Sequence, residues 1–289
     1  MFGPRSARMF FANSSYEESN YVVFGAPFDT TCTFHKGTRY GPAGIRDASH
    51  DFEMYESGHR VDLDGAGVYD AGDLPVTNLI SEEMVKEVHS FSKKLVKDGK
   101  FPILLGGEHS VSPGCATAFD DIAVLGIDAH ADYRDEYNDN KNNHACAMRR
   151  IVDKFGEENV MWIAVRSMAR AEHESSAKLI DSLAILRNGI DWTIKEIQKK
   201  LPDKKVYVTL DIDGIDPAYA PGTGTPEPYG ITPFDVKQII DALAPRMVGF
   251  DVVEVSPPLD TGVTSILAGR MVVNVIGATF VANISKKRR

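Results

Sequence analysis

The stretch Val206-Tyr207-Val208-Thr209-Leu210-Asp211-Ile212-Asp213-Gly214-Ile215-Asp216-Pro217 runs from a near-continuous apolar segment straight into a cluster of acids. A strand that is apolar along its whole length is buried on both faces, as central strands of parallel sheets are. Val206–Leu210 is read as such a strand. Working outward, Tyr21–Phe24, Gly67–Tyr69, Phe101–Leu105, Ile122–Ile127, Val160–Val165 and Val248–Val253 are runs of the same kind. Helical patterns lie between them. The clearest is Glu82–Asp98, where Met84, Val88, Phe91 and Leu95 recur at helical spacing and Gly99 follows as a stop. Ser81 is the expected N-cap of that helix. Val263 to Ile284 reads as a largely buried helix. Strands alternating with helices build βαβ units. The expected fold is α/β: one three-layer α/β/α domain over residues 1–289 on a mainly parallel sheet. Ligands of such sheets bind at the carboxyl ends of the strands.

Bulk properties narrow the function. The 289 residues carry a formal charge of −9, without the basic footprint of a nucleic-acid partner. An acidic balance suits a cationic substrate. Cys32, Cys115 and Cys146 form neither a disulfide framework nor a zinc motif, which fits reduced cytoplasmic thiols. Met1-Phe2-Gly3-Pro4-Arg5 lacks the apolar run of a signal peptide. The longest apolar candidate, Met271 to Ile284, carries Asn274 and Asn283 and falls short of the ~20 residues needed to span a bilayer, so no membrane is expected. Lys286-Lys287-Arg288-Arg289 reads as a solvated tail.

Three strand ends carry the chemistry. Gly106-Gly107-Glu108-His109-Ser110 follows Phe101–Leu105, Asp128-Ala129-His130-Ala131-Asp132 follows Ile122–Ile127, and Asp211-Ile212-Asp213 follows Val206–Leu210. In extended chain alternate residues point the same way, so Asp128, His130 and Asp132 are expected to converge, as are Asp211 and Asp213. Carboxylates this dense resist ionising together unless cations neutralise them. Two divalent ions about 3.5–4 Å apart, bridged by carboxylates, are a recurrent hydrolytic solution. Alone, Asp-x-Asp is weak because it is common in turns, Gly-Gly-x-His is weak because glycines often end strands, and Asp-x-His-x-Asp is of middling weight. The three together, each at the end of an expected parallel strand, are hard to obtain by accident. The donors are four carboxylates and two imidazoles, with no thiolate. Oxygen-rich sites suit manganese or magnesium, and imidazole admits iron, cobalt and nickel. Affinity order alone favours zinc over manganese, so the residues leave the metal open.

These motifs resemble the three signatures of the arginase/agmatinase (ureohydrolase) family. The resemblance extends to Gly25-Ala26-Pro27-Phe28-Asp29, to Gly37-Thr38-Arg39-Tyr40-Gly41-Pro42-Ala43-Gly44-Ile45-Arg46, to Gly222-Thr223-Gly224-Thr225-Pro226 and to Glu254-Val255-Ser256-Pro257-Pro258. It implies an arginase/deacetylase-like fold, two manganese ions per chain and a trimeric or hexameric homo-oligomer. It further implies that one ion takes His109, Asp128, Asp132 and Asp211, and the other His130, Asp128, Asp211 and Asp213. A hydroxide bridging the ions, oriented by Asp132, would then attack a guanidino carbon.

Guanidinium is a poor electrophile and neutral water a weak nucleophile, and metal binding lowers the pKa of water to about 7 in favourable sites. The departing amine also needs a proton, and a histidine with unperturbed pKa near 6.5 is a natural donor. His144, in Asn142-Asn143-His144-Ala145, resembles the family's proton-shuttling histidine. Glu254, by the same resemblance, anchors the guanidinium through charge-assisted hydrogen bonds. Four carboxylates cancel two divalent ions, and hydroxide with Glu254 leaves about −2 by formal count, which favours a cation. Among the other histidines, His89 and His173 read as solvated, His50 and His59 as structural, and His35 as a possible neighbour of the pocket mouth.

Arginases commonly place Asn directly after Asp-x-His-x-Asp, where this chain has Tyr133 followed by Arg134-Asp135-Glu136-Tyr137. That segment resembles the agmatinase type, archaeal members especially. Asp135, Glu136 and Asp139 are expected to repel a carboxylate, partly offset by Arg134 and Lys141. The implied reaction is agmatine to putrescine and urea, a step of polyamine biosynthesis. The same chemistry on N1-aminopropylagmatine, guanidinobutyrate or arginine is the alternative, and Glu227 in Glu227-Pro228-Tyr229-Gly230 is a departure that would suit a longer polycation. A deacetylase-like enzyme would keep a single zinc, and an inactive paralogue would have lost donors. The full six-residue set argues against both.

Overall fold

The computed structural model describes residues 8–175 and 178–287. The signal-peptide reading of Met1–Arg5 and the end of the basic tail lie outside them. The strands are β1 (Tyr21–Ala26), β2 (Tyr55–Glu56), β3 (Val61–Asp62), β4 (Val68–Asp73), β5 (Phe101–Gly106), β6 (Ala123–Ile127), β7 (Val160–Val165), β8 (Lys178–Asp181), β9 (Val206–Asp211) and β10 (Met247–Val253). The helices are α1 (Gly41–Ser49), α2 (Ser81–Lys97), α3 (Ser112–Ala116), α4 (Ala147–Phe155), α5 (Arg170–His173), α6 (Ser182–Asn188), α7 (Ile190–Lys200), α8 (Pro233–Leu243) and α9 (Val263–Lys287). Eight strands form one sheet in the order β4-β1-β5-β10-β9-β6-β7-β8, every neighbouring pair parallel, while β2 and β3 form a small hairpin.

Strand alternation divides the interior in two. Val23, Ile103, Leu125, Ile163 and Val208 face one core with Ile45 of α1, Ile197 of α7, Ile240 of α8 and Val272 of α9. Val22, Leu104, Val124, Trp162 and Tyr207 face the other with Met84 and Val88 of α2, Cys115 of α3 and Ile151 of α4. Two cores on opposite faces of one sheet make the three-layer α/β/α architecture. Burial of each large apolar side chain contributes about 1.5–3 kcal/mol, which is why unbroken apolar runs specify the central strands.

Several expectations need correction. Lys178–Asp181 is an eighth strand that no long apolar run announced, because it lies at the sheet edge and is only half-buried. Ser81 is not the N-cap of α2. Ile80 occupies that position, and the Ser81 hydroxyl instead donates to Asn140 Oδ1 at 3.2 Å. The C-terminal helix spans 25 residues and is long and apolar enough to cross a membrane, contrary to the estimate from Met271 to Ile284. Packing explains its composition: Ala268, Val272, Val275 and Ile276 are buried in the first core.

Candidate functional site

The carboxyl ends of β5, β6 and β9 bring together His109, Asp128, His130, Asp132, Asp211 and Asp213. His109 Nδ1 lies 3.1 Å from Asp128 Oδ2, 3.0 Å from Asp132 Oδ2 and 3.5 Å from Asp211 Oδ2. His130 Nδ1 lies 3.1 Å from Asp213 Oδ2 and 3.6 Å from Asp128 Oδ1. Two triplets result, His109–Asp128–Asp132 and Asp128–His130–Asp213, each with ligand atoms within 4.8 Å of one another. Asp128 belongs to both.

Simple strand alternation is not what gathers them. Asp128 follows the last residue of β6, and Asp132 has φ 46°, in the left-handed region. Asp211 ends β9, and its carboxylate accepts a 3.0 Å hydrogen bond from the Asp213 N–H, capping the short 3-10 turn that carries Asp213. The turn aims the second acid. Gly107 and Gly214 permit the close approach: a Cβ on Gly107 would sit 2.2 Å from the Phe28 carbonyl oxygen, and one on Gly214 would sit 2.8 Å from the Asp128 nitrogen.

Electrostatics show how crowded the cluster is. Burial, with the charge of Asp128, lifts Asp132 to about 6. Burial and the neighbouring acids Asp213 and Asp128 drive Asp211 well above the carboxylate range. Burial works against a charged His130, yet Asp213 and Asp128 carry it up to about 12. Burial likewise opposes, and hydrogen bonds to the histidines outweigh, in holding Asp128 low. Asp128 Oδ2 is buried, and its contact with His109 Nδ1 at 3.1 Å lacks the alignment of a full hydrogen bond. A cluster that gathers protons to relieve repulsion gains the same relief from cations, and the donor set fits two divalent ions.

A cavity of about 380 Å³ opens beside these residues. Glu254, His144, Thr33, Arg134, Tyr137 and Glu172 complete its wall. Glu254 is buried with φ 61°, and one carboxylate oxygen accepts a 2.7 Å hydrogen bond from the His109 N–H. Burial and the charge of Glu108 push its pKa well up. His144 opens a 3-10 turn capped by Asn143 and lies half-buried at the wall. Burial pulls its pKa down, against the pull of Glu108.

Other expectations fall away. Asp135 does not line the cavity; it pairs with Arg150 at 2.9 Å, and Glu136 and Asp139 are also absent from the wall. The wall acid that the sequence reading missed is Glu172, buried and bound to the backbone N–H groups of Tyr133 at 3.1 Å and Ala169 at 2.7 Å. His35 is exposed with its ring against Phe34, off the cavity wall. Glu227 enters only through its carbonyl, which accepts from Arg166 at 2.8 Å. Arg166 also donates to the carbonyls of Asp213 at 2.7 Å and Gly214 at 3.2 Å, tying the two loops together. Half-buried His89 bonds Thr117 at 3.1 Å rather than standing in solvent, whereas His173 is exposed. His59 is structural, held by Glu56 at 2.7 Å and Asp241 at 3.0 Å.

The arginase family profile matches residues 19–277. An agmatinase of Bacillus anthracis is 36% identical over 256 residues, covering 86% of this chain and 88% of that protein. An N(1)-aminopropylagmatine ureohydrolase of Thermococcus kodakarensis is 31% identical, covering 91% of each. The crystal structure of the agmatine ureohydrolase of Thermoplasma volcanium superposes with a TM-score of 0.92 at 40% identity, covering 97% of this chain and 96% of that one.

Proposed function

Because the chain belongs to the arginase family, we propose that it hydrolyses agmatine to putrescine and urea. It is an enzyme of the amidinohydrolase type. The observation that carries the reading is the pair of His/Asp triplets sharing Asp128, of which Asp132, His130 and Asp213 line a cavity. Asp132, Asp211, Asp213, Glu172 and Glu254 line that cavity, with Arg134 the one arginine or lysine among the described residues of its wall, which supports a cationic substrate.

His109, Asp128, Asp132 and Asp211 would hold one divalent ion, and His130, Asp128, Asp211 and Asp213 the other. Such ions supply Lewis acidity and lower the pKa of water from about 15.7 to about 7. Glu254 binds the guanidinium and places its carbon beside the triplets. Asp132 accepts a hydrogen bond from the attacking water and orients its lone pair. The water gives one proton to Asp132 as its oxygen adds to the carbon. The bond to the substituted nitrogen then breaks, and His144 delivers that proton or one from solvent to the nitrogen as it leaves as an amine. The remaining hydroxyl proton is released as the carbon becomes the urea carbonyl. Oxygen-rich donors support manganese as the ion. The reading also takes residues 1–289 as one domain of a cytoplasmic homo-oligomer, on the strength of the family.

Two measurements test this. Urea release is expected to show a kcat/KM for agmatine at least ~100-fold above that for arginine, whose carboxylate would face the wall acids Glu172 and Glu254. Aminopropylagmatine and guanidinobutyrate are to be run beside them. Equal values for agmatine and arginine would refute the assignment, and a maximum with aminopropylagmatine would move it to the longer polyamine. Chelation is expected to abolish urea release and manganese to restore it. Elemental analysis of fully active protein with fewer than two ions per chain would contradict the dinuclear reading.

A further inference from the structure

We infer that two carboxylates outside the cavity wall, Glu108 and Asp251, fix the tautomers of His144 and His109 through the hydroxyls of Thr31 and Thr209. Each relay has the same order, a histidine nitrogen, a threonine oxygen and an acid. His144 Nδ1 lies 3.2 Å from Thr31 Oγ1, which donates to Glu108 Oε1 at 2.5 Å. His109 Nε2 lies 3.2 Å from Thr209 Oγ1, which donates to Asp251 Oδ1 at 2.6 Å.

Proton counting fixes the direction of each relay. A hydroxyl has one proton. Glu108 is an acceptor on both oxygens, taking the Thr31 N–H at 2.8 Å and the Ser110 hydroxyl at 2.6 Å besides the Thr31 hydroxyl. The Thr31 proton therefore goes to Glu108, and its oxygen presents lone pairs to His144, whose backbone N–H it accepts at 2.9 Å. His144 must then carry its proton on Nδ1. Its Nε2 is left with a lone pair facing Thr33 on the cavity wall, 3.4 Å away.

The second relay is built by sheet register. Asp251 of β10 sits opposite Thr209 of β9, and Tyr207, two residues back on the same face, donates to Asp251 Oδ2 at 2.7 Å. All three are fully buried. The acid draws the Thr209 proton in preference to Ser112, whose oxygen is farther at 3.2 Å. The Thr209 oxygen then accepts from His109 Nε2. Nδ1 is the nitrogen turned to Asp128, Asp132 and Asp211. The two relays thus grip opposite ring nitrogens, freeing Nδ1 of His109 for the ion cluster and Nε2 of His144 for the cavity. Threonine and acid touch no reacting atom and act as positioning residues.

The inference rests on the proposed reaction only for its kinetic consequence, since tautomers are read without substrate. The test uses the full chain with 15N-labelled histidine rings, loaded with diamagnetic Zn2+, and multiple-bond 1H–15N spectra. His109→Gln and His144→Gln identify the two signals. The expected result is a proton on Nε2 of His109 and on Nδ1 of His144. The opposite tautomer at either ring, or rapid exchange between both, would overturn that relay. Thr209→Val is expected to weaken Zn2+ binding by ~10–100-fold, and Thr31→Val to lower kcat by at least ~10-fold with KM and metal affinity unchanged, with serine at either position recovering most of the loss. Valine variants that equal the parent in those readouts would also overturn the relay. A chain that kept both tautomers but released no urea would remove the reaction and leave the relays. One that released urea with the wrong tautomers would do the reverse.

Discussion

Asp211→Asn is expected to lower kcat for urea release by about 10³-fold or more while the fold survives. Asp211 lies outside both triplets but beside them, 3.5 Å from His109 Nδ1 and next but one to Asp213. An amide in its place removes one of the charges that would offset two divalent ions. Loss of roughly 4 kcal/mol of transition-state stabilisation, within the several kcal/mol that a metal site supplies, is about a thousandfold in rate. The local structure has a reason to persist. Asparagine keeps an oxygen that can accept the Asp213 N–H, so the turn after β9 retains its cap. Removing one of several crowded like charges also leaves the metal-free fold no less stable than the parent. The measurement pairs kcat at saturating manganese with thermal unfolding of the chelated protein. Near-parental kcat would remove Asp211 from the cluster. A large fall in Tm of the chelated variant would instead point to a structural role.

Much of this molecule was legible because burial writes itself into composition. Val160–Val165 needs to be buried on both faces, and its run of apolar residues marks its ends to the residue. Edge strand β8 faces weaker demands, so Lys178–Asp181 carries no comparable signal. The six candidate ligands were visible because acids and imidazoles at strand ends are costly without a purpose. The geometry that unites them was not. Asp132 and Glu254 both hold positive φ, at a cost of order 1–3 kcal/mol each, and no local pattern reports a backbone conformation imposed by the packing around it. Asp135 misled for the opposite reason: a charge adjacent in sequence to the metal motif is neutralised by Arg150 fifteen positions on. Glu172 went unseen because its partners, the N–H groups of Tyr133 and Ala169, come from two loops. Asp251 did leave a trace. An acid in the middle of the apolar run Val248–Val253 is a buried charge, and a buried charge calls for a partner.

His144→Ala is expected to depress kcat by roughly 10²–10⁴-fold, the range that positioned proton transfer supplies. Metal content and KM should stay near the parental values, because His144 lies in neither His/Asp triplet. Burial holds its pKa below the ordinary histidine range, so the ring is mainly neutral at pH 7. A neutral ring suits a relay better than a standing acid. Nε2 takes a proton within the cavity or from solvent and passes it to the amine as the bond to carbon breaks. Thr33, exposed at 3.4 Å from Nε2, marks the solvent side of that path. Small imidazoles are expected to restore part of the rate, because the space vacated by the ring opens onto the cavity and admits a mobile proton carrier. A histidine that merely starts the helical turn predicts something else. Asn143 caps that turn through its own side chain, 3.0 Å from the Ala145 N–H, and would continue to do so in the variant. Loss of packing alone would therefore lower Tm and leave exogenous imidazole without effect on rate. A stable, metal-replete His144→Ala enzyme with parental kcat would exclude His144 from proton delivery.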